Sequence, residues 1–441
     1  MSHDSQKLRC GTSRIDITPP TGLELSGGAF GPSQGILFPL FAKALYLESE
    51  NKRLLLISAD LIGWDTAYAD QIRKKLSCKY DIPVNAILLA ATHTHAGPAT
   101  VHFRNWGAVN DAYCQELETK LQTLTAQAID SKVSARIGAD YISCPDIAVN
   151  RVTDDGPVDN QLGVVRIENM QNEPLAILLN YACHPVNLHS YNGMIAPDFP
   201  GYTEIKIQES FKKNVHVFHL TGASGDLNPK NFVFLKPTEK SARETGYKLA
   251  QKTLELLPSI SMEENIALNY ESINVDLPLQ PLPEKDDLIT LIEQTKKELE
   301  KYPTKDHSDW AYCFHQTQLD WAVDALKIIE SKSPQKKVKT ISLYAMRIGS
   351  LAFVGIPGEY FTEYGTQIKS SSPFRFTAVI TLTNGYAGYF PNKHAYEIDH
   401  YEAGLCPKYC GVYLYQPDVG QVVCEAALTL LQKISSSTNL E

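Results

Sequence analysis

A chain of 441 residues with 43% apolar content has room for a sizeable buried core, in one large domain or in two or three ordinary ones. Its formal net charge of -9 argues against the broad Lys- and Arg-rich face that nucleic-acid phosphates require, so no nucleic-acid partner is expected. No run of about 18 uncharged apolar residues occurs, so no transmembrane segment is expected either.

From the N-terminus, the opening MSHDSQKLRC (residues 1–10) is polar and lacks the apolar stretch of a secretory signal, which points to a cytoplasmic protein. The nine cysteines are odd in number and scattered, and read as reduced thiols. Cys406 and Cys410 are the one close pair, without a second pair at zinc-finger spacing.

Short apolar runs at 54–57, 86–91, 175–179, 215–220, 351–354 and 376–382 read as buried strands. Amphipathic stretches at 67–78, 111–129, 241–257 and 422–434 read as helices, the third opened by Ser241 and Glu244 at capping-box spacing. Their alternation predicts an α/β protein, with mixed β-sheets flanked by helices.

Between 279 and 333 the composition turns charged and helical. Leu288, Leu291, Ile292 and Leu299 share one helical face, and Trp310, Phe314 and Trp321 mark a second helix. Pro278, Pro281 and Pro283 mark the entry and residues 302–307 the turn. A helical hairpin inserted into a single domain of residues 1–441 is expected, either covering a site as a lid or packing on the outside, the commoner role for such an insertion. The polar tail 435–441 reads as frayed.

Five of the strands run directly into polar clusters. Residues 86–91 lead to His93 and His95, 175–179 to Asn180 and His184, and 215–220 to Ser224, Asp226 and Asn228; 351–354 lead to Glu359, and 376–382 to Tyr386 and Tyr389. Ligands collect beyond the carboxyl ends of strands in α/β folds, so these clusters are expected on one rim. Residues two apart in extended backbone face the same side, which would project His93 and His95 together. Taken singly, each histidine is more often a hydrogen-bonded structural residue than a ligand. Glu359 alone reads as a carboxylate at a helix start, and Tyr389 alone as a core aromatic. Together, two imidazoles, a carboxylate and a phenol offer donors suited to a catalytic Zn²⁺. Residue chemistry alone would not select tyrosine over other oxygen donors.

The motifs resemble, in order and over most of the chain, those of the catalytic N-terminal domain of the neutral, non-lysosomal ceramidase family. GTSRIDITPP (11–20) looks like the family's N-terminal strand, and ATHTHAGP (91–98) like its histidine signature. Asn150-Arg151 matches a pair that supplies a substrate-side arginine, and NYACHP (180–185) the segment of the second histidine. SGDLNP (224–229), with Asp226 and Asn228, aligns with a Gly-Asp-x-Ser-Pro motif, and IPGE (356–359) with the glutamate segment. GYAGYFPNKHAYEIDHYEAG (385–404) matches a stretch with two functional tyrosines, here Tyr389 and Tyr401.

The resemblance implies one zinc per chain held by His93, His184, Glu359 and Tyr389, with His95, Arg151 and Tyr401 lining the reacting centre and Asp226 and Asn228 beside them. It implies a zinc-dependent hydrolase in which an acidified water attacks an amide, His95 moves the proton to the leaving amine, and Arg151 and Tyr401 donate to the oxyanion. The substrate implied is a small molecule, an N-acyl lipid if the family pattern holds. Two departures stand out. The motif serine is Asn228 here, and asparagine cannot form an acyl-enzyme; no C-terminal immunoglobulin-like domain is expected in a chain ending about 40 residues past Tyr401. Both keep open a second reading, hydrolysis of an ester, lactone or glycosidic bond in a small polar or sugar-like molecule. A third is a non-catalytic binding protein on the same fold.

Overall fold

Both faces of the apolar runs are covered, which is why they read as unbroken hydrophobic stretches rather than as alternating ones. The computed structural model describes residues 7–436 except 28–30, 190–192, 212–214, 234–235 and 305. The start of the polar opening and the end of the tail therefore lie outside the described residues. Strands β1 (Arg9–Asp16), β2 (Phe41–Ser49), β3 (Lys52–Ala59), β4 (Ile87–Ala91), β5 (Val133–Ser143), β6 (Gln161–Asn169), β7 (Pro174–Tyr181) and β8 (His216–Thr221) form one sheet. Its order is β8-β7-β6-β5-β1-β2-β3-β4. β9 (Leu268–Pro278), β10 (Val338–Ile348), β11 (Leu351–Gly355) and β12 (Phe376–Ile380) form a second sheet in chain order.

The long helices are α1 (Thr66–Tyr80), α2 (Asp111–Asp130), α3 (Asp198–Gln208), α4 (Glu239–Leu256), α5 (Lys285–Leu299), α6 (Trp310–Glu330), α7 (Thr362–Ser371) and α8 (Val419–Ser436). Strand pairs β3/β4, β7/β8 and β11/β12 are parallel, and the crossovers joining them contain α1, α3 and α7. A parallel pair needs such a crossover, whereas the remaining antiparallel strands do not. The expected class, mixed sheets flanked by helices, is borne out.

The period-two alternation of strand side chains sets the layers. Leu351 and Phe353 of β11, with Phe376, Ala378 and Ile380 of β12, join the core that also holds Leu55 and Leu88 of the large sheet. Their neighbours Ala352, Val354 and Val379 pack instead with Val423 and Leu430 of α8. At the far end, Val164, Ile177 and Leu179 pack against Phe199 of α3 and Leu249 of α4, while Val165, Ala176 and Leu178 turn to the inter-sheet core. Each fully buried Leu or Ile contributes about 1.5–3 kcal/mol, so both layers are needed to hold one strand. Truncating Ile177 to alanine would cost about 2–5 kcal/mol.

The antiparallel strands β1, β2, β5, β6, β9 and β10 escape an apolar-run reading because they carry charges. Lys43 of β2, for instance, is buried with its ammonium 2.7 Å from Glu204. The expected capping box is corrected. The third helix starts at Glu239, Thr238 accepts from the Ser241 amide at 3.1 Å, and Glu244 lies 3.7 Å from Lys240 on the surface.

The hairpin helices α5 and α6 meet through Leu288, Ile292, Trp321 and Ala325, and the Trp321 indole donates to the Val412 carbonyl at 2.8 Å. No helix among the described residues is long and apolar enough to cross a membrane. All nine cysteines are unpaired thiols.

Candidate metal centre and adjoining cavity

His93 and His95 follow β4, whose edge is held by Asn384. The Asn384 side-chain oxygen accepts from the Leu89 amide at 2.7 Å, and its backbone N–H donates to the Leu89 carbonyl at 2.9 Å. The strand ends at Ala91, and His93 has φ 70°, in the left-handed region. The two histidines therefore do not meet through the pleat of a strand, as the spacing suggested, but through a turn beyond it. A residue other than glycine there is uncommon and mildly strained, and the His93 N–H bond to the Leu61 carbonyl at 2.9 Å helps hold it.

Each imidazole is oriented from behind. Nδ1 of His93 lies 2.6 Å from the Ile62 carbonyl, Nδ1 of His184 lies 2.8 Å from the Ser224 carbonyl, and Nδ1 of His95 lies 2.7 Å from the Gly27 carbonyl. A carbonyl only accepts, so each Nδ1 carries a proton, and in the neutral ring Nε2 is the atom left with a lone pair. Those Nε2 atoms converge: His93 to His184 at 3.1 Å and His93 to His95 at 3.2 Å. Burial, followed by the nearby Arg151, lowers the His184 pKa to about 4. Burial also holds His95 well below its ordinary value. Both rings are thus neutral at pH 7.

Glu359 enters the same space. Its Oε2 is 2.9 Å from His184 Nε2 and 3.2 Å from His93 Nε2, and its Oε1 accepts from the Tyr386 hydroxyl at 2.5 Å. Glu359 lies in the two-residue strand Glu359–Tyr360, paired in register with Tyr389 of Tyr389–Phe390. The IPGE glycine permits this pairing, because a Cβ on Gly358 would stand 2.5 Å from the Gly388 carbonyl. The Tyr389 hydroxyl reaches to 3.5 Å from His184 Nε2 and accepts from Arg151 Nη2 at 3.1 Å.

Three imidazole Nε2 atoms, a carboxylate oxygen and a phenol oxygen thus face one another across one small space. That set of nitrogen and oxygen donors fits a divalent metal. The ligand atoms of His93, His95 and His184 all lie within 4.8 Å of one another, which adds His95 to the possible donors.

Beside this cluster lies a cavity of about 310 Å³, lined by His95, Arg151, Asn228, Tyr389, Tyr401 and Glu402 on its polar side. Trp106, Phe232, Trp310, Phe314 and Tyr409 form the aromatic wall. His93 and His184 are not among its lining residues. Of the hairpin, the first turns of α6 reach the cavity, where Trp310 and Phe314 join its wall.

Arg151 sits in this wall because Asn150 pairs with Leu227 in a short antiparallel ladder, and the Arg151 N–H donates to the Asp226 carbonyl at 2.9 Å. Asp226 itself lies behind the wall. Its carboxylate accepts from the Thr362 amide at 2.8 Å and from Asn150 Nδ2 at 3.0 Å, tying both segments together, and burial raises its pKa to about 7. Tyr401 stands at the mouth, 40% exposed.

Two residues of this constellation were given no role from sequence, Tyr386 standing only as a member of its polar cluster and Glu402 only inside the 385–404 stretch. Tyr386 holds Glu359, and Glu402, buried behind Arg151, pairs with its Nε at 2.8 Å. Their one signal was position, three residues before Tyr389 and one after Tyr401.

No family model matches the chain. Neutral ceramidase A of Dictyostelium discoideum is 24% identical over 227 residues, covering 45% of this chain and 31% of its own length. The neutral ceramidase of Pseudomonas aeruginosa is 22% identical over 475 residues, covering 91% of this chain and 69% of its own. The crystal structure of neutral ceramidase from Pseudomonas aeruginosa superposes with a TM-score of 0.74 at 17% identity, over 99% of this chain and 76% of that one. A ceramidase complexed with C2 gives 0.75 at 16% identity over the same shares. The resemblance to the neutral ceramidase family is borne out in sequence and in fold.

Proposed function

We propose that the protein is a zinc-dependent hydrolase that cleaves the amide bond of an N-acylated small molecule. The observation that carries this reading is the convergence of the His93 and His184 Nε2 atoms with Glu359 Oε2 within 3.2 Å, beside a cavity large enough for a ligand. The similarity to neutral ceramidases supports the amide as the bond. His93, His184, Glu359 and Tyr389 would hold the ion. A divalent cation there supplies Lewis acidity to the scissile carbonyl and lowers the pKa of a water toward about 7.

The chain's own groups supply the rest. His95 is the one histidine of the cluster that lines the cavity, and the Gly27 carbonyl fixes its free lone pair on Nε2. It accepts a proton from the attacking water and returns it to the departing amine. Arg151 keeps a positive charge at the wall and donates to the Tyr389 oxygen; burial and then Glu359 hold the Tyr389 hydroxyl well above its ordinary pKa, and the guanidinium opposes that rise. Tyr401 donates to the oxygen that gains charge as the carbonyl is attacked, a contribution of roughly 3–4 kcal/mol for a well-placed donor. Asn228 occupies the motif serine position and supplies no nucleophile, so no acyl-enzyme forms there.

The test is release of free amine from a panel of N-acyl amides by the zinc-loaded protein. Cleavage with stoichiometric acid and amine supports the reading. Cleavage of esters or glycosides alone would replace it with the polar-substrate alternative.

A further inference from the structure

Arg151 decides which way the Asn228 amide faces. A guanidinium can only donate, and Arg151 Nη1 lies 3.3 Å from the Asn228 side-chain oxygen, so that oxygen accepts. Nδ2 is then the free end of the amide. Asn228 lines the cavity, and among the described residues its two Nδ2 N–H groups meet no acceptor. A half-buried amide that turns an unpartnered pair of donors to a cavity beside a reacting centre offers a place for an acceptor on the ligand.

The surrounding charge narrows the kind of acceptor. Arg151 spends Nε on Glu402 at 2.8 Å, and Nη2 on the Gly225 carbonyl at 2.7 Å and the Tyr389 hydroxyl at 3.1 Å. Glu402 is also claimed by His400, so one carboxylate serves two bases. That hydrogen bond raises the His400 pKa, and among the described lining residues Glu402 is the one carboxylate, shared between two bases. A hydroxyl would satisfy Nδ2 but bring no second counter-charge to the two bases that share Glu402. A carboxylate does both. At about 310 Å³ the cavity lies at the small end of the roughly 300–1,000 Å³ typical of ligand pockets, and its aromatic side suits a ring or a short acyl group.

We propose that the substrate carries a carboxylate next to the scissile nitrogen, received by Asn228 Nδ2 in front of Arg151, which makes its class an N-acylated amino acid rather than an N-acyl amino alcohol. This inference rests on the hydrolase reading above, and the experiment separates the two.

The zinc-loaded full chain is given N-acetylphenylalanine, its primary amide and N-acetylphenylalaninol, together with the three matching O-acetyl esters. The inference expects kcat/KM for the carboxylate compound to exceed that of its neutral partners by about 10- to 100-fold. In Asn228→Asp, which places a negative charge at the same spot, that ratio should fall at least tenfold or invert. Asn228→Ser, with one donor in place of two, should give an intermediate ratio and serves if the first variant does not fold. A carboxylate preference among esters with no amide cleaved would remove amide hydrolysis and keep the inference. Amides cleaved without a carboxylate preference, or a ratio unmoved by either variant, would overturn the inference and keep the hydrolase. Thermal shifts with each compound report binding where no bond breaks: a larger shift from the carboxylate compound supports the inference, and equal shifts overturn it.

Discussion

Glu402 places Oε1 2.8 Å from Arg151 Nε, with only 1% of its side chain exposed, while its other oxygen meets His400. The guanidinium thereby faces the cavity in one orientation. Removing one member of a buried pair typically costs about 3–5 kcal/mol, because the other charge stays buried without a partner. Glu402→Ala should therefore lower the melting temperature and depress kcat, whereas Glu402→Gln, which retains the shape and one acceptor, should lose less of both. Equal behaviour of the two variants in melting and steady-state assays would show that the carboxylate does not position Arg151.

The Tyr386 hydroxyl donates to Glu359 Oε1 at 2.5 Å, leaving Oε2 to face the histidines. Groups that orient a metal-binding carboxylate commonly contribute about 10- to 100-fold in metal affinity or activity. Tyr386→Phe should weaken zinc by that factor in a competition titration against a chelator. An unchanged affinity would mean that the backbone pairing of Glu359 with Tyr389 is enough to aim the carboxylate.

Trp310 is 40% exposed and lines the cavity, whereas Trp321, on the same helix, is buried against α5. The two tryptophans should respond differently to truncation. Trp310→Ala is expected to raise KM with little change in melting temperature, and Trp321→Ala to cost about 3–5 kcal/mol of stability. Steady-state kinetics and denaturant unfolding distinguish them.

Much of this arrangement was legible in the sequence because apolar runs and polar clusters alternate. Strands β3, β4, β7, β8, β11 and β12 are short, buried on both faces and rich in Leu, Ile, Val and Ala, so they announce themselves. Strands such as β2 do not, since Lys43 belongs to a buried ion pair that only the tertiary structure supplies. His93 and His95 were read as neighbours for the wrong geometric reason, because no local pattern indicates a left-handed φ at a histidine. Glu402 and Tyr386 had no pattern of their own, as their partners lie far away in the chain at Arg151 and 27 residues back at Glu359. Trp310 and Phe314 sit at helical spacing, which fits a core and a cavity wall equally well.

His219 is 4% exposed, and neither of its ring nitrogens has a hydrogen-bond partner among the described residues. Burial, then the charge of Lys43, lowers its pKa to about 3. An unfolded histidine titrates near 6.5, so the folded chain takes up this proton less readily than the unfolded one. The stability this provides is complete above about pH 6.5 and is lost as the pH falls toward 3. Between pH 7 and pH 4 the wild type should lose on the order of 3 kcal/mol more unfolding free energy than His219→Leu, which has no proton to bind. Urea unfolding at the two pH values provides the comparison, and identical losses would contradict it.

The central claim is that His93, His184 and Glu359 gather around one divalent cation, and metal content measures it most directly. Elemental analysis of the full chain, reconstituted with zinc and dialysed, should give about one zinc per chain, with His184→Ala and Glu359→Gln retaining far less. A folded wild-type chain that holds no zinc, or variants that hold as much as the wild type, would contradict the account.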